Sequence, residues 1–198
     1  APKFYHPDPT VRRLSGFLRP QFNSSDELGD SVHLPYFHII SSTKDVTIRP
    51  TFFESDIKML QSEYRQQNKS STFITDFGLT TGYKPSYANN KKSITHLFAN
   101  FFADLKMENY NDSDLSISIE KVSNDTYLKV FDTNLYENNL TPADSSNLKS
   151  EIKLILNHED YNLNTGIAAY EKLGTTYDSD RYQFILPYYD FSKSFESK

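Results

Sequence analysis

From Ser15 onward the chain alternates apolar and polar residues with a two-residue period. In "DVTIRPTFF", Val46, Ile48, Pro50 and Phe52 fall on one side, and Asp45, Thr47, Arg49 and Thr51 on the other. "STFITDFGL" places Phe73, Phe77 and Leu79 on one face with Thr75. "HLFANFFADL" sets Leu97, Ala99, Phe101, Ala103 and Leu105 against His96, Asn100 and Asp104. "DLSISIEKV", "EIKLILNH" and "YQFILPYY" continue the pattern, and residues 58–66 and 161–170 read as two more strands. Strict alternation over such lengths predicts half-buried strands, not helices. The fold class is therefore all-β, an antiparallel up-and-down meander of about nine or ten strands.

The connections fit that meander. Residues 41–45, 66–71 and 157–162 are short and turn-like, whereas 82–92, 109–114 and 132–147 are longer, polar and rich in Asn, Ser and Asp. Turn residues of these kinds end strands. Short turns on one rim and long loops on the other are characteristic of outer-membrane barrels. "DTYLKVFD" predicts a short helical or turn segment, and no longer helix is indicated.

Two strands carry a proline at their centre: Pro20 in "SGFLRPQF" and Pro35 in "VHLPYFHII". Proline has no N–H for a sheet ladder, so central strands exclude it. On the residues alone, such prolines mark bulges or guard an edge strand. Pro50 and Pro187 also lie in strands and serve as comparisons.

Composition narrows the function classes. The 198 residues suffice for one sizeable domain or part of a larger protein. A net charge of −5 argues against a dedicated nucleic-acid binder. Aromatic residues reach 15% (Tyr 14, Phe 15) in a chain only 37% hydrophobic, a pairing suited to strands with one wet face. The absence of cysteine removes disulfides and cysteine-bearing zinc sites. No apolar run approaches the roughly 18 residues of a membrane helix, a test that barrel strands escape. The chain opens Ala1-Pro2 with no charged-then-apolar leader.

Catalytic signatures do not emerge. There is no Gly-rich phosphate loop, H-E-x-x-H or G-x-S-x-G, which leads to the expectation of a non-enzyme without cofactors. The histidines (His6, His33, His38, His96, His158) are scattered, and His33 and His38, five apart on one strand, face opposite sides. Surface or lumenal roles suit them better than a metal site. Five N-x-S/T sequons, at Asn23, Asn68, Asn111, Asn124 and Asn139, are coincidences of an Asn- and Ser-rich chain.

One resemblance sharpens this reading. "FYHPDPTVRRLSGFLRPQF", followed by "LPYFHIISSTKDVTIRPTFF" and "LQSEYR", resembles the opening of the barrel in the LptD family, the lipopolysaccharide-assembly or organic solvent tolerance proteins. Ser15–Pro20 matches the family's S-G-F-L-x-P strand, residues 34–37 its L-P-Y-aromatic strand, residues 45–50 its D-x-T-x-x-P strand, and residues 63–65 its E-[YF]-R. "HLFANF", "VSNDTYLKVFD" and "RYQFILPYYDFS" resemble later family segments, in order. The resemblance implies a Gram-negative outer-membrane protein that receives lipopolysaccharide from periplasmic bridge proteins and releases it through a seam between the first and last barrel strands. It also implies a lipoprotein partner plugging the barrel and an N-terminal periplasmic domain to which the bridge docks. Residues 1–14 would be a junction before the barrel, and residues 15–198 its first strands. Gly16, Phe17 and Leu18 would belong to a gate strand, with Pro20 and Pro35 as lateral-gate residues loosening the seam.

The alternating pattern also fits a closed small barrel or a β-sandwich, such as a soluble carbohydrate-binding or adhesin module with Tyr188 and Tyr189 stacking on sugars. The two readings differ in what the apolar face touches. A membrane barrel turns it outward, and a sandwich buries it between sheets.

Overall fold

The computed structural model describes residues 13–84, 90–136 and 138–193. Apart from Arg13 and Leu14, the junction assigned to residues 1–14 lies outside them. The strands are β1 (Gly16–Phe17), β2 (Gln21–Ser25), β3 (Gly29–His33), β4 (Tyr36–Ser41), β5 (Lys44–Phe53) and β6 (Lys58–Gln67), followed by β7 (Ser71–Tyr83), β8 (Lys92–Asp104), β9 (Asp112–Val122), β10 (Asn147–Asn157), β11 (Tyr161–Lys172) and β12 (Tyr182–Lys193). They form one antiparallel sheet in the order β1-β4-β5-β6-β7-β8-β9-β10-β11-β12, with β2 on β3 and β3 also on β5. From β4 to β12, every strand pairs with its sequence neighbours. Among the described residues the sheet does not close, because β1/β2 and β12 do not pair with each other.

The four N-terminal segments are two interrupted strands. β3 and β4 meet β5 in one continuous register, Ser31 opposite Phe53 at one end and Ile39 opposite Asp45 at the other. β1 and β2 likewise lie along that second strand, so the twelve segments make ten crossings of the sheet, as the alternation predicts.

The rims alternate as well. One rim carries the connections 42–43, 68–70, 105–111 and 158–160, and the other carries 26–28, 54–57, 123–146 and 173–181, with the end of β7 and the start of β8 also at that rim. The sequence expectation of a long loop at 109–114 is corrected here. β9 already starts at Asp112, and left-handed backbone at Lys106 and Asn109 tightens this connection onto the short-turn rim. On the other rim, Gly82 adopts φ +82°, and a Cβ there would lie 2.5 Å from the Asp56 carbonyl oxygen. Only glycine combines that conformation with so close an approach.

The two faces are inverted relative to a soluble sheet. The row Phe73, Phe101, Ile117, Ile152, Ile167 runs across five strands on the outer face. Ile48, Phe52, Leu60, Phe77, Leu97, Ile119 and Phe184 on the same side are all exposed. Buried on the inner face are Asp45, Thr47, Arg49, Thr51, Gln61, Glu63, Asp76, Thr80 and His96. No second sheet covers the apolar side among the described residues, so the sandwich arrangement is not the one formed.

What covers the inner face is the 123–146 connection. Its helix α1 (Tyr127–Phe131) buries Tyr127, Leu128 and Phe131 in a core with Phe53, Met59, Ile94, Phe98 and Val122. Apolar burial supplies the driving force, about 1.5–3 kcal/mol for each large side chain. The helix is too short to persist alone.

Candidate functional site

The structure brings all five of the sequence-predicted seam residues together at the free N-terminal edge. Gly16 and Phe17 form β1, opposite Phe37 and Tyr36, and Phe17 packs edge-on against Tyr36 at 5.0 Å. Leu18 donates its N–H to the Pro35 carbonyl at 2.8 Å. In an antiparallel ladder the return bond would run from residue 35 to the Leu18 carbonyl, and proline has no donor for it. Pro20 lies in the gap before β2. The register passes from Phe17 opposite Tyr36 to Gln21 opposite His33, so three residues face two and the first strand bulges.

A third proline enters the same break. Leu34 donates to the Pro50 carbonyl at 3.0 Å, so the donor that Pro50 lacks would have faced Leu34. Pro50 is thus no neutral comparison for Pro20 and Pro35, because all three prolines converge on one interruption. Pro187 does serve as one. It falls where β12 shifts register against Gly166 and Ala168, far along the sheet.

Around the break the edge is held by side chains. Ser15 Oγ accepts the Ile39 N–H at 2.8 Å, in place of a backbone carbonyl. The Arg13 guanidinium reaches across to Asp45, which Arg65 Nε also contacts at 2.8 Å. Phe17 (80%) and Phe22 (83%) are strongly exposed along this edge.

Behind the break lies a buried polar network that sequence reasoning did not assemble. Arg49, Gln61, Gly78 and His96 form one cross-strand row, and Thr47, Glu63, Asp76 and Phe98 the next. Glu63 and Asp76 are therefore directly opposed carboxylates, an arrangement that repels unless compensated. Asn138 Nδ2 donates to both at 3.0 Å, Gln61 Nε2 donates to Asp76 at 2.7 Å, and Arg65 Nη1 lies 3.4 Å from Glu63. His96 stacks on Phe98 at 4.6 Å, with Nε2 3.4 Å from Asp76 Oδ1 and Nδ1 2.8 Å from the Tyr127 hydroxyl. Burial, the largest cause, raises the Tyr127 phenol well above its ordinary range, so it stays protonated and acts as a neutral clasp. The signal available in the sequence was the charged residues on the polar sides of β5 to β7, but not which of them meet.

The other sequence expectations also find their places. His33 faces inward and bonds Thr51 Oγ1 at 2.9 Å, whereas His38 lies on the outer side against Tyr36, so the two face opposite sides. Tyr188 and Tyr189 point to opposite faces, Tyr188 giving its hydroxyl to Glu151 at 2.9 Å, and so do not form one stacking platform. Among the described residues, no group of three or more His, Asp or Glu side chains is arranged to hold a metal.

No family model matches the chain. The LPS-assembly protein LptD of Idiomarina loihiensis is 27% identical over 162 residues, covering 76% of this chain. That of Pseudoalteromonas translucida is 28% identical over 125 residues, 62% of the chain. That of Pseudomonas aeruginosa strain LESB58 is 35% identical over 60 residues, 30% of the chain. The chain is similar to LptD. It spans about a fifth of the length of the Idiomarina LptD and 16% of the Pseudoalteromonas one.

Proposed function

We propose that this chain is the N-terminal part of an LptD-type barrel in a Gram-negative outer membrane, and that its first two crossings are one side of a lateral gate for lipopolysaccharide. Similarity to several LPS-assembly proteins supports the assignment. The observation that carries the gate is the convergence of Pro20, Pro35 and Pro50 on one interruption of the edge strands, in a sheet whose pairing from β5 to β11 is broken by a single register shift, at the rim end of β7 and β8. A barrel in lipid is held by an unbroken ladder of backbone hydrogen bonds. Each missing ladder bond removes on the order of 1 kcal/mol from the hold of the first crossings on their neighbours, so the strand on this side of the seam bends and loosens more readily than the rest of the sheet. The exposed Phe, Leu and Ile face meets lipid, and the polar face lines the lumen.

In this reading the chain performs no catalysis. Lipopolysaccharide arrives from periplasmic bridge proteins docked to an N-terminal domain, a plug lipoprotein occupies the lumen, and residues 15–198 are barrel. The test uses the full-length protein in cells. Pro20→Ala with Pro35→Ala should slow lipopolysaccharide export and sensitise cells to large hydrophobic antibiotics while assembly stays normal, and Pro187→Ala should do neither. Normal export by the double variant would remove the gate assignment.

A further inference from the structure

Directly behind the proline break is a cavity of about 550 Å³ whose lining includes Leu18, Arg19, His33, Pro35, Arg49 and Leu135. Two guanidiniums and an imidazole face it, and its lining contains no carboxylate. Arg49 is the unusual member. Its side chain is only 8% exposed, and Nη1 has no hydrogen-bond partner. Its nearest acid, Glu63, stands 3.8 Å from Nη2 and is shared with Arg65 and Asn138; Asp76 acts on it from farther off, and burial outweighs both in disfavouring its charge. Tyr136 covers one face of the guanidinium at 3.6 Å, which leaves the in-plane N–H edge as the side able to take an oxyanion. A buried, under-compensated guanidinium is costly unless a partner arrives.

We propose that this cavity binds a phosphate ester carried by an amphiphile, with Arg49 and Arg19 on the phosphate and Leu18, Pro35 and Leu135 against the adjoining apolar part. Two guanidiniums on one group suit a phosphate dianion better than a monoanionic carboxylate, and planar bidentate recognition is the geometry arginine supplies. The site adjoins the break, so an occupant bridging Arg49 and Arg19 would touch both the third crossing, β5, and the gap at Pro20. The source of the phosphate, the headgroup of an exported lipid, rests on the export reading. The recognition of the anion does not.

The test measures binding to purified full-length protein in detergent, using bis-phosphorylated lipid A, its enzymatically dephosphorylated form, and inorganic phosphate alone. The phosphorylated lipid should bind about tenfold or more tighter than the dephosphorylated one, the scale of one to two charge-assisted bonds. Arg49→Gln should abolish most of that preference and leave the dephosphorylated affinity unchanged. Arg19→Gln, at an exposed position, should do the same in part and guards against a folding defect in the first variant. Equal affinity for the two lipids, or a preference that neither substitution moves, overturns the proposal. Binding of inorganic phosphate alone as tightly as the lipid, with the same Arg49 dependence, overturns the amphiphile. Export in cells is a separate readout. A retained phosphate preference without export would remove the export reading alone, and export without the preference would remove only this site.

Discussion

Gly78 sits where the row Arg49, Gln61, Gly78, His96 crosses the inner face, and a Cβ there would meet His96 Cε1 at 2.2 Å. The glycine is the space that lets the imidazole lie flat against Phe98. Gly78→Ala is expected to destabilise the fold by about 1–3 kcal/mol, the usual cost of overpacking, read as a lower unfolding midpoint in denaturant. Tyr127 gives a pH signature. Its folded-state pKa is raised, so above the ordinary phenol value near 10 the unfolded chain releases a proton that the folded chain retains. Stability is full below that pH and falls as pH rises above it, with a slope of up to about 1.4 kcal/mol per pH unit. The difference between wild type and Tyr127→Phe in unfolding free energy from pH 9 to pH 11 isolates this slope from the other tyrosines. An unchanged slope in the variant would mean that the hydroxyl is not sealed. Neither role was legible in the sequence, because His96 meets Gly78, 18 positions before it, and Tyr127, 31 positions after it, only once the fold brings them together.

About nine or ten crossings, and which residues share a face, were readable from alternation, because one wet and one apolar side impose a two-residue period on each strand; which face turns inward was not. The interruptions were readable as prolines. Their convergence was not, because it depends on Leu18, Pro35, Leu34 and Pro50 lying in adjoining ladder positions set by long-range register. The 123–146 connection is the other element the sequence only half disclosed. "DTYLKVFD" does contain the short helix, but its place across the inner face follows from contacts such as Tyr136 N–H to Gln61 Oε1 at 3.1 Å and Ser31 Oγ to Asn134 Oδ1 at 2.9 Å. Phe131 anchors this element against Phe53 and Tyr83. Phe131→Ala should cost about 3–5 kcal/mol locally and release 123–146 from the face. Limited proteolysis should then cut within that connection before the strands, and equal resistance in wild type and variant would contradict the anchoring.

At the scale of the molecule, what unifies the observations is an inside-out sheet with one weak edge. Its exposed apolar face is the direct consequence of placing charged residues inward on β5 and β6. If that face meets lipid, Ile117→Arg near mid-strand should cost about 2–4 kcal/mol in folding into lipid vesicles, and the neighbouring Ser118→Arg, on the inner face, far less. Equal costs would place both positions in water. The proposed gate is tested most directly by photocrosslinking in growing cells, with a reporter at Phe17, Leu18 or Phe22 of the full-length protein and a second at Ile152 on the outer face. Lipopolysaccharide adducts are predicted at the first three positions, decaying once new lipopolysaccharide synthesis is stopped, while any adduct at Ile152 persists as ordinary membrane contact. Absence of adducts at Phe17, Leu18 and Phe22, or adducts there with the same lifetime as at Ile152, would contradict passage through this edge.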